Sequence, residues 1–339
     1  MNFIRKLLFP LGGLYLLITF ISNWLYDLGI STTKLYDLPV IAIGNLSAGG
    51  TGKTPQTEYI IRLLKDTYKI AVLSRGYKRS TKGFLLANTH VSATELGDES
   101  YQMYSKFPEV SVAVCEDRQT GIENLISNSN PDVILLDDAF QHRKVKAGFY
   151  ILLTAYDELF SDDFILPFGN LRESAIGKKR ANVVVVTKCP QNITKKNKDE
   201  VKLKLNVNVP VFFTSIDYDS KVFSTENSIS VSDIISKEKV IVAGIAKPKY
   251  FVDYLNSGTD KVMIYPDHHN FSEAEISEIN ELSKDKIIVT TEKDFMRLNG
   301  KINSSNLFYL PIQSKFVSEK EQFDALVTNW VRVILSNHL

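Results

Sequence analysis

Within the stretch IAIGNLSAGGTGKTPQTEYIIRLL, residues 41–64, a cluster of glycines runs into Gly52-Lys53-Thr54. Glycine-rich turns aim successive backbone N–H groups at phosphate oxygens, and a helix opening at their end adds its positive pole. In that geometry Gly49, Gly50, Thr51 and Gly52 form the cradle, Lys53 reaches the terminal phosphates of a nucleotide, and the Thr54 hydroxyl faces Mg²⁺. The spacing departs from the strict G-x-x-x-x-G-K-[ST] pattern, because Ser47 stands where the first glycine belongs. An ordinary φ is therefore required there, and Gly49 and Gly50 must supply the tight backbone. A phosphate loop also needs an acidic partner for its metal at the end of a neighbouring apolar strand, and VILLDD offers Asp137 and Asp138. Two adjacent carboxylates repel, raising one pKa unless a cation sits between them.

Three further charged spots have two readings each. LGDESYQ places Asp98 and Glu99 at the expected start of a helix, where Asp98 serves equally well as an N-cap. PDHHNFS sets Asp267, His268 and His269 in a turn, either as site residues or as ordinary loop residues. LPFGNLRES puts Arg172 in a glycine-containing loop, fit for clamping a phosphate or for closing a surface ion pair.

The elements that must position these residues follow from the hydrophobic pattern. PVIAIGN, KIAVLSRGY, VSVAVCEDR, PDVILLDDAF, FYILLTA and ANVVVVTK are short, nearly continuous apolar runs, the pattern of strands buried on both faces of a parallel sheet. TPQTEYIIRLLKD carries its apolar residues at helical spacing. The alternation predicts an α/β fold: a P-loop NTPase-like, doubly wound, mostly parallel sheet over 31–214. A polar stretch, 215–239, reads as a linker, and 240–339 as a second, smaller α/β domain. Its final helix has one apolar face, Phe323, Leu326, Val327, Trp330, Val331 and Ile334, which packs on a domain the pattern does not specify.

With 339 residues, 44% hydrophobic and 23% charged, the chain has the composition of about two folded domains. A net charge of +1 advertises no nucleic-acid partner, and no feature calls for an obligate protein partner. Cys115 and Cys189 lack metal-ligand spacing and read as reduced core thiols.

The first thirty residues differ. After Arg5-Lys6 come twenty uncharged residues, 7–26, in which Gly12, Tyr15, Thr19, Ser22, Asn23 and Tyr26 share one helical face while Leu11, Leu14, Ile18 and Leu25 share the other. Such a stripe suits a helix lying in a membrane surface, over residues 1–30. A full span would carry the nucleotide site across the bilayer, and a signal peptide would need the small-residue cleavage site that the sequence lacks.

Taken in order, GNLSAGGTGKTP, LSRGY, GDE, DDAFQHR, LPFGNLRE, PDHHNF and TEKD resemble the tetraacyldisaccharide 4′-kinase family, inner-membrane enzymes of lipid A biosynthesis. The similarity extends from the amino-terminal helix to about Asp294, and Ser47 in the loop is the family's own variant. The resemblance implies transfer of the ATP γ-phosphate to the 4′-hydroxyl of a membrane-embedded, tetraacylated disaccharide 1-phosphate, giving lipid IV-A. It implies a peripheral or monotopic protein on the cytoplasmic face of the inner membrane. By motif, Lys53 and Thr54 bind phosphate and Mg²⁺, Asp137 and Asp138 are the metal pair, Asp98 is the base, and Glu99 is a further metal ligand. His268 would assist Asp98, and Arg75, Tyr77, Gln141, His142 and Arg172 would contact the acceptor or phosphates. Ser100 and Ala139 depart from the family pattern without removing a functional group. A GTP-dependent regulatory or metallochaperone-type NTPase is the rival; its guanine-reading N-K-x-D is replaced here by Thr187-Lys188-Cys189-Pro190.

Overall fold

A computed structural model describes residues 9–267, 269–302 and 305–337, without the side chains of residues 9–11 and 14. His268, Leu11 and Leu14, singled out above, thus lie outside the described side chains.

The apolar runs become the strands β1 (Val40–Asn45), β2 (Ile70–Ser74), β3 (Leu85–Leu86), β4 (Ser111–Val114), β5 (Val133–Asp137), β6 (Phe149–Ala155), β7 (Val183–Thr187) and β8 (Val211–Tyr218). Later come β9 (Lys221–Phe223), β10 (Ser228–Ser230), β11 (Lys239–Ala243), β12 (Lys261–Ile264), β13 (Ile287–Thr291), β14 (Leu307–Leu310) and β15 (Ile312–Phe316). The helices are α1 (Phe9–Asp27), α2 (Lys53–Leu64), α3 (Ala93–Leu96), α4 (Asp98–Lys106), α5 (Arg118–Ser129), α6 (Lys195–Leu205), α7 (Val231–Ile235), α8 (Lys249–Leu255), α9 (Glu273–Ser283), α10 (Glu292–Leu298) and α11 (Lys320–Ser336).

Among the described residues one sheet has the order β15-β8-β7-β6-β1-β5-β2-β4-β3, parallel except at its two edges. The strands β1, β2, β5 and β7 bury every residue, as helices on both faces require. The second sheet, β10-β9-β14-β13-β11-β12, is parallel from β14 to β12 and ends in the antiparallel pair β9 and β10.

Two boundaries differ from the sequence reading. The first sheet does not stop at residue 214, and 215–239 is not a bare linker: β8 runs on to Tyr218 in the first sheet, while β9 and β10 join the second. These short strands are half exposed, so they lack the long apolar runs that mark central strands. Nor does 240–339 form one unit. β15 returns to pair with β8, and α11 seats Phe323, Val327 and Val331 in the core of the first sheet. Trp330 on the same helix stacks near Phe149, with centroids 5.3 Å apart.

α1 is docked inside out relative to an ordinary surface helix. Tyr15 donates its hydroxyl to the Arg172 carbonyl at 2.7 Å, and Asn23 donates to Glu173 at 3.1 Å. Leu16, Leu17, Ile18, Phe20, Ile21 and Trp24 are exposed. Among the described residues no helix is long and apolar enough to cross a membrane.

Candidate active site

β1 ends at Asn45, and the chain turns over the carboxyl edge of the sheet before α2 opens at Lys53. Gly44 permits a close approach beneath the turn: a Cβ there would stand 2.7 Å from that of Phe140. Gly49 (φ 125°) and Gly52 (φ 82°) adopt left-handed conformations that L side chains avoid. Ser47 instead forms an antiparallel bridge with Leu171, and Arg172 N–H donates to the Leu46 carbonyl at 2.7 Å. The departure from the strict motif therefore couples the loop to LPFGNLRE.

Lys53 Nζ lies 3.3 Å from Asn45 Oδ1 and 3.6 Å from Asp138. Arg172 clasps the same carboxylate at 2.9 Å. Burial pushes the Asp138 pKa upward, but Lys53 and Arg172 outweigh it and hold the group below its usual range. Asp137 is different: it is buried and accepts from Thr57 at 3.2 Å and Ser74 at 3.5 Å. Burial first, and then the charge of Asp138, raise its pKa to about 6. A divalent cation beside this pair would remove that penalty, so the donor set of Thr54, Asp137 and Asp138 fits Mg²⁺.

Gln141 donates to the Asn45 carbonyl at 2.8 Å and to Glu173 at 3.0 Å, bracing the turn. Burial, reinforced by Arg118 and Arg75, drives His142 down to about 4, so it is a neutral imidazole near pH 7. Arg75 and Tyr77 are exposed on a loop that touches Gly97, the residue before Asp98.

Asp98 and Glu99 open α4 and face the second sheet. Arg297 Nε stands 2.8 Å from Asp98, and Lys293 Nζ 2.6 Å from Glu99. Glu99 is thus held by a lysine and is not gathered with Asp137 and Asp138: among the described residues no three His, Cys, Asp or Glu side chains form a metal-sized cluster. A third bridge joins the units, where Lys106 lies 2.8 Å from Glu58 and 2.9 Å from Glu292. Burial lowers the Lys106 pKa and the two carboxylates more than reverse it. His269 takes a local role, pairing with Glu275 at 2.9 Å and stacking on Tyr265.

Sequence reasoning missed Asn45, Lys106, Lys293 and Arg297. The motif TEKD contains Lys293, and Arg297 follows Asp294 by one helical turn, but their partners are 194 and 199 positions away.

Comparison with known proteins agrees with this geometry. The family model described as Tetraacyldisaccharide-1-P 4'-kinase matches residues 4–332. The tetraacyldisaccharide 4'-kinase of Flavobacterium psychrophilum is 55% identical over 99% of this chain and all of its own length. That of Bacteroides thetaiotaomicron is 42% identical, covering 97% of this chain and 94% of itself. Among solved structures, LpxK from Aquifex aeolicus in complex with ATP superposes with a TM-score of 0.78 at 31% identity, covering 96% of this chain and 99% of that one. With the phosphate loop, the acidic strand end and whole-length similarity in agreement, the chain belongs to the tetraacyldisaccharide-1-phosphate 4′-kinase family.

Proposed function

We propose that the cleft between the two sheets transfers the γ-phosphoryl group of ATP to the 4′-hydroxyl of an acylated disaccharide 1-phosphate at a membrane surface. The bond from Pγ to the ADP oxygen breaks as the sugar oxygen bonds to Pγ, and the hydroxyl proton passes to Asp98. Lys53 neutralises the terminal phosphates, and loop amides from Gly49 to Thr54 hold the chain of phosphates in line. Thr54, Asp137 and Asp138 would hold Mg²⁺, which when bound would supply further neutralisation of phosphate charge. His268 assists Asp98. Arg75, Tyr77, Gln141, His142 and Arg172 line the acceptor's side.

One observation carries this reading. The backbone carbonyl of Arg172 accepts from Tyr15 on the apolar helix, while its guanidinium holds Asp138 beside the phosphate loop. A single residue thus joins the helix that meets lipid to the site that meets phosphate. The outward apolar face of α1 supports peripheral attachment at the cytoplasmic face of the inner membrane, where ATP is available. The test is label transfer from γ-labelled ATP to the disaccharide 1-phosphate in mixed micelles, with Lys53→Ala and Asp98→Ala beside the wild type. Label must reach the lipid with the wild type and drop at least about 100-fold with either variant; no transfer by the wild type refutes the reading.

A further inference from the structure

The tetrapeptide Thr187-Lys188-Cys189-Pro190 was notable above only for lacking a guanine-reading aspartate. In the structure it lies against the phosphate loop. Thr187 Oγ1 donates to the Thr51 carbonyl at 2.8 Å, and a Cβ on Gly52 would meet the Thr187 side chain at 3.5 Å. The next residue, Lys188, has φ 58°, a left-handed conformation that a non-glycine residue adopts only when its surroundings enforce it. Its neighbours enforce that turn: the Thr187 carbonyl accepts from Tyr156 N–H at 2.9 Å, and Cys189 N–H donates to Thr214 at 2.9 Å. The result aims Lys188 over the loop, with Nζ 3.7 Å from where a Cβ on Gly50 would lie. Asp138 has the same unusual geometry, φ 49°, beyond β5, so a charged left-handed residue follows each of two strands that feed the site.

Lys188 is half-buried, and among the described residues it forms no ion pair. Its charged surroundings are mixed: Lys247 and Lys293 repel it, Glu158 and Asp157 attract it, and Glu158 is already engaged by Lys247 at 2.8 Å. Burial, with Lys247 adding to it, holds the Lys188 ammonium below the usual lysine range. A left-handed, partly desolvated lysine that makes no direct ion pair among the described residues, with its ammonium over the glycine turn, is explained if an anion belongs there, and the adjoining loop suits a polyphosphate.

We propose that Lys188 is a second phosphate-contacting lysine, whose ammonium meets bound ATP from the β7 side of the loop while Lys53 meets it beside Asp138. This rests on ATP occupying the loop and assigns a contact that the loop motif does not contain.

Two measurements test it. Titration calorimetry with ATP should show Kd raised about tenfold to a hundredfold in Lys188→Met, the range of a charge-assisted hydrogen bond. Lys188→Arg should stay within a few-fold of wild type, as should Lys247→Met, and the KM for the lipid acceptor should not change. A folded Lys188→Met that binds ATP within twofold of wild type overturns the inference. Should that variant not fold, acetic anhydride labelling of the wild-type protein replaces it: saturating ATP should suppress acetylation of Lys188 several-fold, and undiminished acetylation overturns the inference. Lys53→Ala, titrated in parallel, separates the two levels. Weak binding there with native binding in Lys188→Met refutes the Lys188 contact alone, whereas native binding in both refutes ATP at the loop.

Discussion

Both contacts from the Arg297 guanidinium to Asp98 fall on one oxygen, with Nε 2.8 Å and Nη2 2.5 Å from Oδ2. Arg297 is itself anchored at 3.1 Å by Asp294, a buried carboxylate that accepts from Gly244 N–H at 2.8 Å and from the Thr291 hydroxyl at 2.7 Å. The orientation of a carboxylate on the first sheet's α4 is thereby set by the backbone of the second sheet.

Arg297→Ala should therefore lower turnover at saturating substrates by about tenfold to a hundredfold, the cost of misplacing the proposed base, Asp98, by about an ångström. ATP affinity should hold, because the Arg297 pairs with Asp98 and Asp294 lie away from the phosphate loop's own hydrogen bonds. Arg297→Lys should recover only part, since an ammonium cannot place two donors on one oxygen in a fixed fork. Steady-state kinetics beside calorimetry would show the split; equal losses in both would mean that Arg297 merely supports the fold.

The outward face of α1 makes a second prediction. Replacing Leu17 and Trp24, which are 53% and 51% exposed, with serine should weaken partitioning onto anionic vesicles by roughly 100-fold or more, given about 1.5–3 kcal/mol for burying each side chain. The melting temperature should change far less, because about half of each side chain already faces solvent. Flotation and thermal melts check the pair of outcomes.

Glu292 predicts a pH effect at the domain junction. Lys106 bridges two buried carboxylates, Glu58 and Glu292; Glu58 also pairs with Arg62 at 2.9 Å, whereas Glu292 Oε2 is buried without a hydrogen-bond partner. Burial, and then Glu58, raise the Glu292 pKa from 4.5 to about 7. Between those values the folded chain holds a proton that the unfolded chain releases, so this group's contribution to stability falls as pH rises from about 4.5 to about 7. Glu292→Gln removes that dependence: relative to wild type, its melting temperature should be higher at pH 8 than at pH 5. A greater relative loss at pH 8 would contradict this.

Gly44→Ala brings a methyl within 2.8 Å of the Phe140 backbone nitrogen, where central strand β1 packs beneath the buried turn after β5. A stability loss of about 1–3 kcal/mol follows, the usual cost of overpacking, and shows as a lower denaturation midpoint. ATP affinity should fall with it, because the same contact seats the end of β1, from which the glycine-rich turn departs.

What was legible in the chain divides along physical lines. Lys53 and Thr54 open the helix that follows β1, and Asp137 and Asp138 stand at the end of β5, both recognisable from short-range pattern; Lys53 meets Asp138 at 3.6 Å. The Arg297 and Lys293 contacts were illegible because no local rule relates a helix to partners almost two hundred residues away. α11 shows the same limit: its stripe of Phe323, Val327 and Val331 specifies a buried face, and only the return of β15 beside β8 brings that face to the first core. β9 and β10 were hidden in a polar stretch, because an edge pair of three residues each has too few apolar positions to announce itself.

That return of the chain bears on how the protein is made. A ribosome extends the nucleotide core from its amino end, yet an edge strand and a covering helix of that core emerge last, after the entire second sheet. Nascent chains cut short before residue 312 lack both, so a partial translation product leaves greasy core surface uncovered and is fodder for proteases.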